Sequence, residues 1–175
     1  MAVRKIVTVD VFDEAALTES TLRLTPAPVV EFDASVSSLV SDLIDTMEHQ
    51  ELAIGLAAPQ IGESYQIAVV DKQIVGSDEH LILINPEILG QSGKKDIKRE
   101  SCMSLPPWGG DVEMRRKLQV RYQDQSAETL ERTFEGFAAR VVRHECDHLQ
   151  SVLFIDHVQD LSAMEKLEMF EDYEG

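Results

Sequence analysis

Residues 141–149 read Val141-Val142-Arg143-His144-Glu145-Cys146-Asp147-His148-Leu149. On a helix, residues four apart share a face, so His144 and His148 can offer both imidazoles to one metal ion. Glu145 follows about 100° round the helix. Its carboxylate then sits beside the metal, where it can take a proton from water. Cys146 lies roughly 200° round from His144 and turns away; it reads as a small buried core residue. The competing reading of the run is a surface helix with two solvated histidines. A catalytic metal site needs three protein ligands and an open position. Downstream candidates are poor, because His157 lies beyond a strand-like segment and the later glutamates resemble a solvated helix face. Cys102, upstream, is the better third ligand.

The chain has 175 residues, enough for one domain with a real core. Hydrophobic residues make up 43 %, and the apolar runs are too short to span a bilayer, so no membrane partner is expected. Residues 1–13 lack a long apolar segment and an Arg-rich pattern, which argues against a signal or transit peptide. The expectation is a cytoplasmic protein, with a processed organellar form left open. A formal net charge of −16 repels phosphate, so direct nucleic-acid binding is not expected. The clusters Lys94-Lys95/Lys98-Arg99 and Arg115-Arg116-Lys117 read as solvated faces. The two cysteines could form a disulfide, but in such a compartment a metal or core role is favoured.

Working outward, Gly136 precedes a helix expected over 137–150. Leu118, Val120 and Tyr122 alternate, and Thr129–Phe134 returns after a turn at 124–128, which predicts a hairpin. Tyr65–Asp71 and His80–Asn85 read as strands, the second ended by Pro86. Asp33 caps an amphipathic helix over 34–50, with Val36, Leu39, Val40, Leu43, Ile44 and Met47 on one face. Lys5–Val11 reads as extended, and Leu22–Val30 as largely non-helical. Leu153-Phe154-Ile155 suggests a short strand, and 162–170 a last short helix. Residues 53–62 are small and apolar around Pro59. Gln60 is the odd residue there, and its amide needs partners or a job. The economical architecture is α+β: a single compact domain over 1–175, with mixed or antiparallel β-sheets packed around the central metal-binding helix, an N-terminal amphipathic helix and a short C-terminal helix.

Three stretches, in order and spacing, resemble the peptide deformylase family: Gly55-Leu56-Ala57-Ala58-Pro59-Gln60, Glu100-Ser101-Cys102-Met103-Ser104, and His144-Glu145-Cys146-Asp147-His148-Leu149. Leu22-Arg23, Ile84-Asn85-Pro86 and Leu153-Phe154-Ile155-Asp156 extend the likeness over nearly the whole chain. The resemblance implies that Cys102, His144 and His148 hold one divalent metal. It favours ferrous iron (Fe2+), with Zn2+, Ni2+ or Co2+ as substitutes. It implies that Glu145 is the general acid/base, and that the Gln60 amide and the Met103 backbone N–H form an oxyanion hole. The implied reaction is hydrolysis of the N-formyl group from the formylmethionine of newly made polypeptides, with formate released and a formylated peptide as the partner. The alternatives are a non-catalytic or altered-specificity relative that binds peptides, and a metallopeptidase built on the same helix. Ribosome association and oligomeric state stay open, although the acidic stretch 164–175 argues against a tether to RNA.

Four positions depart from the family pattern. Ala53 and Ser101 stand for glycine, Met103 for leucine and Arg143 for glutamine. Ala53 would cost about 1 kcal/mol or more if its backbone needed positive φ, and Ser101 is expected to crowd the peptide edge. Asp147 is expected to pair with Arg115 or Arg116. The substrate wall is expected from Phe137, Arg140 and Val141 on the histidine face, with Ile54, Gly55 and Leu56 opposite. Arg140 has two readings there. Its guanidinium snorkels to water, or it charges the pocket and is answered by a nearby acid or by substrate.

Overall fold

A computed structural model describes residues 2–171 and 173. Its elements are α1 (Glu14–Glu19), α2 (Ala34–His49), β1 (Gly55–Ala57), β2 (Ile67–Val70), α3 (Lys72–Val75), β3 (Leu81–Ser101), β4 (Trp108–Gln123), β5 (Thr129–Glu135), α4 (Gly136–His148) and β6 (Glu165–Lys166), with short 3-10 turns in some of the connections and after β6. One antiparallel sheet runs β1-β2-β3-β4-β5, with β6 added to the start of β4. The fold is therefore α+β in one compact domain.

Successive strand side chains point to opposite faces, and the central strands use both. Ala57, Ala68, Val70 and Leu83 pack with Ala139, Val142, Cys146 and Leu149 around α4. Leu56, Ile67, Val69 and Ile84 pack with Val36, Val40, Leu43 and Met47 of α2. The helix carrying the histidines is thus clamped on the sheet by its apolar face. Asp33 caps α2, its carboxylate accepting from Ser35 and Val36 N–H at 2.8 and 3.3 Å. The 124–128 turn joins β4 and β5 as a hairpin.

Several expectations need correction. Pro86 does not end a strand, since β3 continues to Ser101. The ladder shifts register between Ile84 and Glu87. Asn85 takes φ 49° there, and its side chain exchanges hydrogen bonds with the Val29 backbone at 2.7 and 2.8 Å. A proline without an N–H is tolerated at such a bulge. β4 begins at Trp108, not near Leu118; the three cations at 115–117 interrupt its apolar alternation. Residues 153–155 are no strand. They lead into a 3-10 turn, Phe154–His157, where Asp156 accepts from Leu153 N–H at 2.8 Å. No C-terminal helix forms over 162–170. Met164 joins one hydrophobic cluster and Leu167 and Phe170 another, and the segment is two 3-10 turns flanking β6. Part of the acidic stretch 164–175 lies outside the described residues. The sheet is a single antiparallel one, and α1 and α3 were not expected.

Candidate metal centre

β5 ends at a left-handed Gly136, φ 61°, which turns the chain into α4. Its apolar face is held in the core, so His144 and His148 turn towards the loop after β3. There Cys102 follows the last strand residue, and Leu105 N–H donates to Cys102 C=O at 2.9 Å to reverse the chain. One ligand atom from each of Cys102, His144 and His148 falls within 4.8 Å of the others. Cys102 Sγ is 3.4 Å from His148 Nε2. His144 Nδ1 faces Glu100 Oε2 at 3.6 Å, which leaves its Nε2 for the cluster. A carboxylate behind a ligating imidazole fixes the ring's tautomer and orientation. Burial opposes charge on His144, yet contact with Cys102 and Glu100 holds its pKa well above the usual value. The same negative groups suit a cation. His148 is pushed well below its usual value by burial, which keeps it neutral, as a ligand must be.

Glu145 is buried against β1. A Cβ on Gly55 would lie 2.5 Å from Glu145 Oε1, so only glycine lets the backbone come this close. Burial lifts the Glu145 pKa to about 7, and its Oε2 has no hydrogen-bond partner among the described residues. Gln60 sits in the 3-10 turn Ala58–Ile61. Its Oε1 accepts from Ala57 N–H at 2.8 Å, which orients the amide. Nε2 then points to Ser104 Oγ at 3.2 Å and Cys102 Sγ at 3.6 Å. The extended N-terminal segment braces both stretches, as Val7 N–H donates to Gln60 C=O at 2.8 Å and Val9 N–H to Ser104 C=O at 2.9 Å. The Met103 N–H hydrogen-bonds to no group among the described residues.

A cleft of about 260 Å³ opens beside this cluster. Ile54, Gly55, Phe137, Arg140 and Val141 line it as expected, whereas Leu56 does not. Leu56 is fully buried on the α2 side, because alternation along β1 turns it to the other face. Arg140 is not a snorkelling side chain. It is buried and ion-paired with Glu100, and Nη1 also donates to Val112 C=O at 3.1 Å. Nη2 reaches Asp96 at 2.9 Å. Its charge is answered within the protein. Asp147 pairs with Arg143 at 3.3 Å and His157 at 2.8 Å, not with Arg115 or Arg116. Those two lie on β4, where Arg115 donates to Gly93 C=O and Arg116 faces Asp96. Ala53 lacks a positive φ, so its feared strain is absent. Ser101 and Met103 line the cleft. Cys146 is buried away from it, in the core between α4 and the sheet. Sequence reasoning missed Glu100 as the partner of His144, though it stands inside a quoted stretch. It also missed Leu52, Arg99 and Met169, which carry no periodic signal, and Phe170, whose spacing was read as a helix face.

Two histidines and a cysteine around one point, with a buried glutamate beside the first histidine, make a group able to hold a metal ion, an arrangement of the kind metal-dependent hydrolases use. The polypeptide deformylase family profile matches residues 11–164. The peptide deformylase of Pseudothermotoga lettingae is 43 % identical over 140 residues, 80 % of this chain and 78 % of its own. A peptide deformylase structure from Legionella pneumophila superposes with a TM-score of 0.78 at 37 % identity, covering 91 % of this chain and 88 % of the other. The Met-Ala-Ser-bound class I type b peptide deformylase of Acinetobacter baumannii gives 0.76 at 29 % identity, covering 90 % and 99 %. The chain belongs to the polypeptide deformylase family.

Proposed function

We propose that this protein hydrolyses the N-formyl group from the N-terminal formylmethionine of newly made polypeptides, releasing formate and a free α-amine. The convergence of Cys102, His144 and His148 with Glu145 at their side carries this reading. The donor set fits a divalent cation: a thiolate, a neutral imidazole, and a second imidazole backed by Glu100. Cys102, His144 and His148 would hold it. Ferrous iron is the proposed native metal, with zinc, nickel or cobalt as substitutes. When bound, such an ion supplies Lewis acidity toward the formyl carbonyl and lowers the pKa of water toward neutrality.

The remaining steps belong to the chain's own groups. Glu145 Oε2, buried and unpartnered, takes a proton from the attacking water. It then returns the proton to the amine nitrogen as the C–N bond breaks. The Gln60 Nε2–H and Met103 N–H donate to the formyl oxygen as it gains charge. Ile54, Phe137 and Val141 offer apolar surface to the methionine side chain, and Gly55, lacking a Cβ, lets the Glu145 carboxylate lie against β1. Because Glu100 and Asp96 neutralise Arg140, that residue leaves the cleft apolar in effect. A structural metal clip would need neither Glu145 nor Gln60. No described helix is long and apolar enough to cross a membrane, and a cytoplasmic site of action is part of the proposal. The test is formate release from a formyl-Met tripeptide by ferrous-loaded protein under anaerobic, reducing conditions. Stoichiometric formate and free amine support the reading; metal-saturated, folded protein that yields no formate contradicts it.

A further inference from the structure

The cleft lies between two hydrophobic clusters. Its α4 side belongs to the cluster of Ala139, Val141 and Val142. Its far side belongs to the cluster holding Met103, Leu52, Ala53 and Phe170. Phe170 arrives there on a strap, residues 164–170, that runs beside the start of β4. The strap is pinned at several points. Glu165 and Lys166 pair with Gly109 and Trp108. Leu167 N–H donates to Pro107 C=O at 2.9 Å. The Leu167 side chain fills the space over Gly109, where a Cβ would come within 2.7 Å of it. Arg99, a cleft residue, bridges Asp111 and Glu165. Beyond, Phe170 is 5 % exposed, and the Tyr173 ring meets it edge-on at 5.6 Å. Between the fixed points Leu167 and Phe170, Met169 is held at the cleft while remaining 50 % exposed.

An unbranched thioether held half in solvent at a cleft has no core to fill, and it adapts to varied apolar partners. We infer that Met169 is a specificity-determining residue. Presented by the pinned strap opposite α4, it contacts the bound peptide beyond its first residue and favours an apolar side chain there. This rests on the deformylase reading for the identity of the peptide. Pinning matters because a mobile strap would have to be ordered on binding, whereas a held backbone leaves only the Met169 side chain to order.

The experiment compares parent, Met169→Glu and Met169→Lys. Peptides are formyl-Met-Leu-Leu, formyl-Met-Lys-Lys and formyl-Met-Asp-Asp, with kcat/KM measured for each. Dissociation constants of the unformylated forms are measured by calorimetry on the same metal-loaded proteins. Parent should prefer the Leu peptide. Met169→Glu should raise the Lys/Asp ratio about threefold and Met169→Lys lower it by as much, the size of a partly exposed ion pair. Melting temperature and metal content should match the parent's. Lys/Asp ratios that agree across the three proteins, in rates and in dissociation constants, overturn the inference. Opposite shifts in the dissociation constants without formate release in any of the three would uphold the strap contact and overturn the deformylase reading.

Discussion

Replacing Arg140 by leucine removes the cation that answers Glu100. Both side chains are buried, at 7 % and 6 % exposure, and Arg140 also holds Val112 C=O and Asp96. Breaking a buried pair from one side costs about 3–5 kcal/mol, because the remaining charge is left without its partner. In a chain of this size that lowers the melting temperature by on the order of 10 °C. The effect continues to the site, since Glu100 Oε2 faces His144 Nδ1 at 3.6 Å. A carboxylate freed from its anchor no longer fixes that ring, and loss of such support weakens metal binding by roughly 10–100-fold. Thermal melts of parent and variant, with metal affinity from chelator competition, read both effects. The double variant Arg140→Leu/Glu100→Leu should regain part of the stability, because neither buried charge of that pair is left alone, but not the metal affinity. A variant as stable as the parent, with a higher kcat/KM for formyl-Met peptides, would refute the reasoning and mean that the arginine charge faces the substrate.

Glu145→Gln should bind metal like the parent yet lose hydrolysis by about 10²–10⁴-fold, the usual contribution of a general acid/base; metal loss equal to that of a ligand variant would reassign the residue. Gly55→Ala should push the Glu145 carboxylate aside and lower kcat while metal content holds, and an unchanged kcat would show that the close approach is immaterial. Cys102→Ala should lose metal sharply and Cys146→Ala should not, as metal analysis of both will decide. Asp156→Asn addresses pH. Burial opposes ionisation of Asp156, but the Arg23 guanidinium outweighs it and holds the pKa below the usual carboxylate value. Its contribution to stability is therefore full above the unfolded value, about pH 3.9, and is lost as pH falls through the lower folded one. Melts against pH should show the gap between parent and variant closing below about pH 4; a gap that ignores pH would contradict the assignment.

The parts of this molecule legible in its sequence are those set by local spacing. The histidines four apart, the Asp33 cap with the stripe behind it, and the hairpin at 124–128 follow from periodicities of 3.6 and 2 and from turn chemistry. Gln60 stood out as a polar residue in an apolar run, and its amide is indeed doubly committed, to Ala57 N–H and toward Ser104 and Cys102. What escaped depends on long-range partners. Arg140 looked like a charge in an apolar pocket because Glu100, forty residues earlier, comes beside it only when β3 packs against α4. Asp147 was matched to distant arginines when Arg143, one turn away, and His157 were nearer. The spacing of Leu161, Met164 and Leu167 imitates a helix, but Met164 and Leu167 join different clusters and Leu161 stays exposed. Pro86 reads as a strand end until the bulge at Asn85 removes the need for its N–H.

The central claim is that Cys102, His144 and His148 hold one ion whose presence makes the chain a deformylase. Cobalt titrated into metal-free protein tests it, with the thiolate-to-cobalt absorption band and formate release read from the same samples. Both signals should rise together and saturate at one ion per chain, and neither should appear in Cys102→Ala. Formate release without the thiolate band, or a saturated band with no formate, would contradict it.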